Sequence, residues 1–502
     1  MNDMMTMSNE KSIPDRRDVR IILLWMFLGV VLLVTGACET TESDTGTTAP
    51  ADKTGDTFKG TAAPGRPDGS LWKVGTPIVW YQQGPGAGGR ESVWATGFVR
   101  SGKPPPAPRV PRDRFEMITP AVAKKLAEGG FNAMFVRNLD DLDYAHAHGM
   151  RGILYVHEGK EPWRNVFHPD AVKDPKWLAK LGEMIDSVKD HPAMYAYYLY
   201  DEPGTKEYPA LAELVALIRE RDPKHMAYIN MFPVYASSGA QGTSGDKITC
   251  YREYLRRYLE EVKPDLISYD HFHMRFTSRA FDSSEYFLNL ALVREASVNG
   301  GVPFLNVIQA SSMGPGSRQP TGDEGRYLAF TTLAYGGQGI CQFVYNSYEG
   351  AEHWGGVEYL DGTLTPLGKD LRQQIHPEFV AVGKELQPLT SRAVYHLGTG
   401  ELPQGGVKLP VDASFTVDPP VAKDRKKGIL LGYFGSTGKA TTHVLVVNLD
   451  YISDITTTIV GPGPMEVFDA ETQKWENASD KSRAKINVIA GGGNLLRLRA
   501  RR

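Results

Sequence analysis

Cysteine is scarce: the 502-residue chain has three, at positions 38, 250 and 341. That spacing offers neither a disulfide framework nor the paired ligands of a structural zinc site, so Cys250 and Cys341 are expected to be buried free thiols. An excess of charge of one sign is also missing. Lys and Arg total 56 against 59 Asp and Glu, a net charge of −3, which gives no electrostatic reason to bind nucleic acid. The glycine-rich stretch Gly84-Pro85-Gly86-Ala87-Gly88-Gly89 is not followed by the Lys-Ser/Thr of a phosphate-binding loop, and Pro85 removes a backbone donor. No solenoid-length repeat is present. With 41% hydrophobic and 10% aromatic residues, the chain is neither disordered nor fibrous. Its length fits one large domain plus a smaller one.

The first conspicuous feature is an uncharged run from Ile21 to Ala37, preceded by Arg16, Arg17 and Arg20 and followed by Cys38. Its length suits a secretory h-region better than a membrane span of about 20 residues. Val34-Thr35-Gly36-Ala37-Cys38 resembles the lipobox of bacterial lipoproteins, although Thr35 stands where that family usually has Leu. The resemblance implies cleavage before Cys38, a lipid on its thiol, and membrane attachment outside the cytoplasm. Glu39 to Pro50 then lack the apolar residues that could repay ordering and read as a flexible tether.

From Pro77 onward, short β-branched and aromatic runs alternate with amphipathic stretches. Eight strands are expected, near 77–81, 131–137, 152–157, 194–200, 226–230, 266–270, 304–309 and 339–345. Eight βα units imply an α/β fold, a (β/α)8 TIM barrel, whose site lies at the C-terminal strand ends. Past Leu389, runs such as 428–433, 443–449, 456–460 and 495–498 predict a small β-sandwich. The expected organisation is a signal peptide (1–37), a tether (38–70), the barrel (71–389) and a C-terminal sandwich (390–502).

The strand ends carry Trp80, Arg137, His157, Tyr200, Asp201, Glu202, Asn230, Asp270, His271, Gln309 and Tyr345. So many polar ends around one rim suit a polyhydroxylated ligand, with Trp80, Trp94, Trp163, Tyr200 and Trp354 as candidate flat faces for sugar rings. The segment 191–203 closes on Tyr200-Asp201-Glu202-Pro203. It resembles the fourth-strand motif of clan A glycoside hydrolases, in which this Glu is the general acid/base. Ala334-Tyr335-Gly336-Gly337-Gln338-Gly339-Ile340 and the closing sandwich are similar to glycoside hydrolase family 42-like proteins. The resemblance implies a glycosidase acting on an oligo- or polysaccharide, with Glu202 as acid, Asp201 orienting, and Arg137, His157, Asn230, His271, Gln309 and Tyr345 holding hydroxyls. No metal or organic cofactor is expected.

Strict alternation would turn Asp201 and Glu202 to opposite sides, so both reach the site only if the strand has ended or bulges there. The seventh strand ends in Gln309 where clan A retaining enzymes carry a Glu nucleophile. Three substitutes for it are open. Asp270 could act as base on a water, at the wider spacing of about 6.5–9.5 Å of an inverting pair. The Asp201-Glu202 pair looks like that of substrate-assisted hexosaminidases, where the substrate's acetamido group attacks. A Glu after the eighth strand, Glu349, Glu352 or Glu358, could also serve. Two other function classes remain open. Asp270, His271 and His273, with His157 and Glu158, suggest a metal-dependent hydrolase, and Gln309 leaves room for a barrel that binds carbohydrate without cleaving it.

Overall fold

Thr119 accepts a hydrogen bond from Val122 N and Pro120 follows at the first helical position, and these two residues set the start of the first helix. The computed structural model describes residues 78–82, 119–156, 169–275, 284–312, 317–345, 355–359, 362–419, 428–436, 440–478 and 480–499. The signal peptide, the tether with Cys38, His157 with Glu158, and Trp94, Trp163 and Trp354 lie outside these residues.

Eight parallel strands form one sheet: β1 Ile78–Gln82, β2 Ala133–Val136, β3 Arg151–Tyr155, β4 Met194–Asp201, β5 Met226–Met231, β6 Ile267–Asp270, β7 Phe304–Gln309 and β8 Gly339–Phe343. Their order is β1-β8-β7-β6-β5-β4-β3-β2, and β1 and β2, the two ends of that order, lie side by side. One main helix follows each strand: α1 Pro120–Glu128, α2 Leu139–Ala147, α3 Pro175–Val188, α4 Tyr208–Arg221, α5 Lys247–Arg257, α6 Tyr286–Gly300, α7 Gly322–Ala334 and α8 His376–Leu386. This is a TIM barrel. The strands are short and buried on both faces, which is why they read as continuous apolar runs rather than alternating ones.

The β-rich region after the barrel holds a six-stranded sheet, β15-β14-β17-β12-β11-β9, and a three-stranded one, β10-β13-β16. Their strands are β9 Thr390–Leu397, β10 Thr416–Val417, β11 Ile429–Gly435, β12 His443–Asn448, β13 Ile455–Val460, β14 Met465–Asp469, β15 Lys474–Asn477, β16 Arg483–Val488 and β17 Gly493–Leu498. Alternation along β11 and β12 divides two cores. Leu430, Phe434, Leu445 and Val447 join the barrel core, while Ile429, Leu431, Tyr433, Val444 and Val446 face the smaller sheet. Helix α7 is sandwiched between the barrel strands and this sheet, so nearly all its residues are buried. Gly432 sits against it, where a Cβ would stand 2.4 Å from the carbonyl oxygen of Ala334.

Candidate active site

The end of strand β4 brings Asp201 and the following Glu202 together by both routes alternation allows. Its pairing with β5 shifts register between Tyr198 and Tyr200, and the strand ends at Asp201. Glu202 then takes a left-handed backbone, φ 50°, an arrangement that costs a non-glycine residue roughly 1–2 kcal/mol and is held from outside. Its N–H donates to Asn230 O at 2.8 Å. The next carbonyl, Pro203 O, accepts from the Tyr254 hydroxyl of α5 at 2.6 Å, and that hydroxyl in turn accepts from Phe232 N at 3.2 Å. One tyrosine therefore pins the turns after β4 and β5 together.

Three carboxyl groups meet at this point. Asn230, on β5, donates from one amide nitrogen to Asp201 Oδ1 at 3.0 Å and to Asp270 Oδ1 at 3.2 Å. Its own Oδ1 accepts from Ser268 Oγ at 2.9 Å, and Ser268 Oγ is 2.7 Å from the Tyr228 hydroxyl. Glu202 and Asp270 stand close enough for each to shift the other's proton affinity. Asp201 reaches solvent and Glu202 is half-buried, whereas Asp270 is buried.

Loss of hydration raises the proton affinity of all three groups. Glu202 is held well above the usual carboxylate range by desolvation first and then by the charges of Asp270 and Asp201. Asp270 is raised by desolvation and by Asp201, and is drawn back by its bond from Asn230. Asp201 is the most exposed of the three. Desolvation raises it, and Asn230 and the Tyr198 hydroxyl pull it back. Such a cluster can hold one proton ready for donation beside carboxylates that stay ionised.

Several expected site residues lie elsewhere. His271 follows Asp270 on β6 and so points the opposite way. Its Nδ1 is 3.0 Å from Asn289 Oδ1 on α6, and its ring packs edge-on against Tyr286 at 5.5 Å. His273 packs tilted on Tyr286 and stacked on Tyr327, so His271 and His273 of the metal reading are committed to aromatic packing. Among the described residues, no His, Cys, Asp and Glu side chains are grouped as metal ligands. Gln309 is buried and fully committed: its Oε1 accepts from Met274 N, and its Nε2 donates to Ser317 Oγ, Met274 O and Arg318 O. It clamps two chain segments rather than offering an amide to a sugar.

Arg137 forms an ion pair with Asp141 at 2.8 Å and lines an outer groove between α2 and α3 with Lys180 and Glu183. Tyr345 is buried and donates to Glu358 Oε2 at 3.0 Å. Glu358 also pairs with Lys125 at 2.9 Å; Glu349 and Glu352 lie outside the described residues. Asn230 is at the site, but its hydrogen-bonding atoms serve Asp201, Asp270 and Ser268 instead of a ligand. Tyr200 is half-buried beside Asp201 and Glu207. Trp80 falls on β1.

Residues absent from the sequence reading complete the site. Tyr235 lies close enough to Asp270 and Glu202 for their charges to raise its hydroxyl. Phe272 and Phe343 pack 5.2 Å apart, both half-buried, just past the end of β6 and at the end of β8. Phe272 was within reach, two residues after Asp270. Ser268 and Tyr228 were not, because buried hydroxyls inside apolar strands carry no local signal.

No protein-family model matches the chain, and no curated protein matches it in sequence. Solved structures of clan A glycoside hydrolases are similar in fold. A catalytic mutant of a family 42 β-galactosidase from G. stearothermophilus has a TM-score of 0.47 at 9% identity, over 75% of this chain and 95% of that one. A family 5 glycoside hydrolase from Bacteroides vulgatus has a TM-score of 0.44 at 13% identity, over 75% and 84%. A β-galactosidase from the psychrophilic Marinomonas ef1 has a TM-score of 0.39 at 10% identity, over 54% of this chain, which spans 60% of that enzyme.

Proposed function

We propose that this protein is a glycosidase that cleaves an O-glycosidic bond of an oligo- or polysaccharide, with Glu202 donating the proton to the leaving oxygen. The observation that carries this reading is the carboxyl of Glu202, set beside Asp270 and deprived of hydration next to the solvent-facing Asp201 at the strand ends. A group so placed remains an acid at neutral pH, as protonation of a leaving oxygen requires. Asp270, buried behind Glu202, acts as its proton partner rather than as a base on the far side of a sugar.

Asp201, with one oxygen tied to Asn230 and access to solvent, orients the attacking group. Gln309 is unable to attack and Glu349 and Glu352 lie outside the described residues, so this reading takes as attacker a water or a 2-acetamido substituent of the substrate itself. Export and a lipid on Cys38 would place the enzyme at a membrane surface facing extracellular carbohydrate. Cys38→Ser should then release it from the membrane fraction, and equal retention of both proteins would remove the lipid from this reading.

A panel of aryl glycosides, with and without the 2-acetamido group, tests the activity. Wild type should release aglycone and Glu202→Gln should lose about 10²-fold or more. Proton NMR of the first anomer divides the attackers: retention on acetamido substrates supports substrate assistance, and inversion supports water. Equal rates from wild type and variant would remove Glu202 as the acid. Oligosaccharide binding without any release would leave a carbohydrate-binding barrel.

A further inference from the structure

The glycosidase reading requires the proton to sit on Glu202, yet three carboxyls compete for it and burial raises all three. We infer that Asn230, locked by Ser268 and Tyr228, is a positioning residue that reserves the proton for Glu202.

The argument is an accounting of donors. Asn230 Oδ1 takes the Ser268 O–H, which obliges Ser268 Oγ to accept from the Tyr228 hydroxyl. All three polar groups are buried, so no water can substitute. The amide nitrogen is thereby directed at Asp201 Oδ1 and Asp270 Oδ1. A flipped amide would instead set its carbonyl against two carboxylate oxygens and leave Ser268 facing an N–H. With the lock closed, one oxygen of each Asp accepts an N–H, which favours its ionised form, whereas the carboxyl of Glu202 receives no bond from Asn230, so the proton is biased towards Glu202. The acid is then Glu202, with Asp270 beside it.

The strand geometry explains why these residues meet. Tyr228 and Asn230 are two apart on β5, Ser268 and Asp270 two apart on β6, and Asn230 pairs with Ser268 in the register, so all four share the interior face. Other groups facing the cluster are the hydroxyls of Tyr198 on β4, Tyr235 after β5, and Tyr251 and Tyr254 on α5. All are neutral at physiological pH, and the nearest cation among the described residues acting through them is Arg275, by way of Tyr235.

The test locates the proton without needing a substrate. Difference infrared spectroscopy at neutral pH should show the carbonyl stretch of a protonated carboxyl in the full-length protein, and Glu202→Gln should abolish it. In a Ser268→Ala background the amide is free to turn, so Glu202→Gln should leave a protonated-carboxyl band, now from Asp201 or Asp270. Tyr228→Phe should behave likewise if Ser268→Ala fails to fold, and Ser268→Thr should restore the wild-type pattern.

Hydrolysis gives a second readout. Ser268→Ala should lose about tenfold on aryl glycosides with poor leaving groups, which need the acid, and little on activated ones. Complete loss of the band on Glu202→Gln in the Ser268→Ala background would overturn the inference, as would a wild-type band that survives Glu202→Gln. If the spectra behave as expected but no glycoside is cleaved, the positioning role stands and the glycosidase reading falls.

Discussion

The carboxyl of Glu202 stands beside that of Asp270, close enough for the charge of Asp270 to act on it, and burial raises the proton affinity of both. This pairing has a thermodynamic signature apart from any catalysis. A carboxyl whose folded proton affinity exceeds its unfolded value, about 4.3 for Glu, stabilises the fold fully below that pH. The contribution is lost as pH rises towards the folded value. The amide of Glu202→Gln fills the same space and does not titrate. Thermal melting followed between about pH 5 and pH 8 should therefore show the variant gaining on wild type at each step. A constant gap across that range would mean Glu202 is ordinarily ionised.

Tyr254 is the residue through which the acid's turn is held from behind. Its hydroxyl serves Pro203 O and Phe232 N, and Tyr254→Phe leaves both backbone groups buried without that partner. Each such loss costs about 1–3 kcal/mol, so urea denaturation should give a clear drop in midpoint. Activity should fall further than stability alone explains, because the left-handed turn at Glu202 loses its support. An unchanged midpoint would show that water replaces the hydroxyl.

The barrel was legible because each strand is a short apolar run with helix signals between. The Asp201-Glu202 step was legible because it ends the strongest of those runs. What sequence could not reveal was parity at the strand ends. Asp270 and His271 are adjacent, and only the register of β6 against β7 decides that the carboxylate faces the hollow and the imidazole the helix layer. The same blindness admitted Gln309 and Tyr345, whose partners Ser317 and Glu358 lie on loops without regular spacing. In the sandwich, β14 and β15 were missed because they are half-exposed, with no continuous apolar run to mark them.

Gln309 shows how far this site is from one that simply lost a nucleophile. Its Nε2 donates to two carbonyl oxygens and to Ser317 Oγ. Gln309→Glu would set a carboxylate against those carbonyls in a buried position, a cost of about 3 kcal/mol or more. The variant should melt well below wild type and gain no glycosidase activity. A stable variant with enhanced hydrolysis would mean that the segment around Met274 can yield and expose residue 309 to substrate.

One close approach between the barrel and the β-rich region is made through a missing side chain. Gly432 lies on the barrel-facing side of β11, between Leu430 and Phe434, and a Cβ there would meet Ala334 O at 2.4 Å. That atom is backbone in a helix buried on all sides, so the neighbour cannot move aside as a flexible side chain would. Gly432→Ala should cost about 1–3 kcal/mol through overpacking, although alanine suits a strand at least as well as glycine. If α7 is a shared wall, barrel and sandwich should still unfold in one transition at a lower temperature. Two separated transitions, with the barrel's midpoint unmoved, would show that the sandwich is attached without supporting the helix behind β7 and β8.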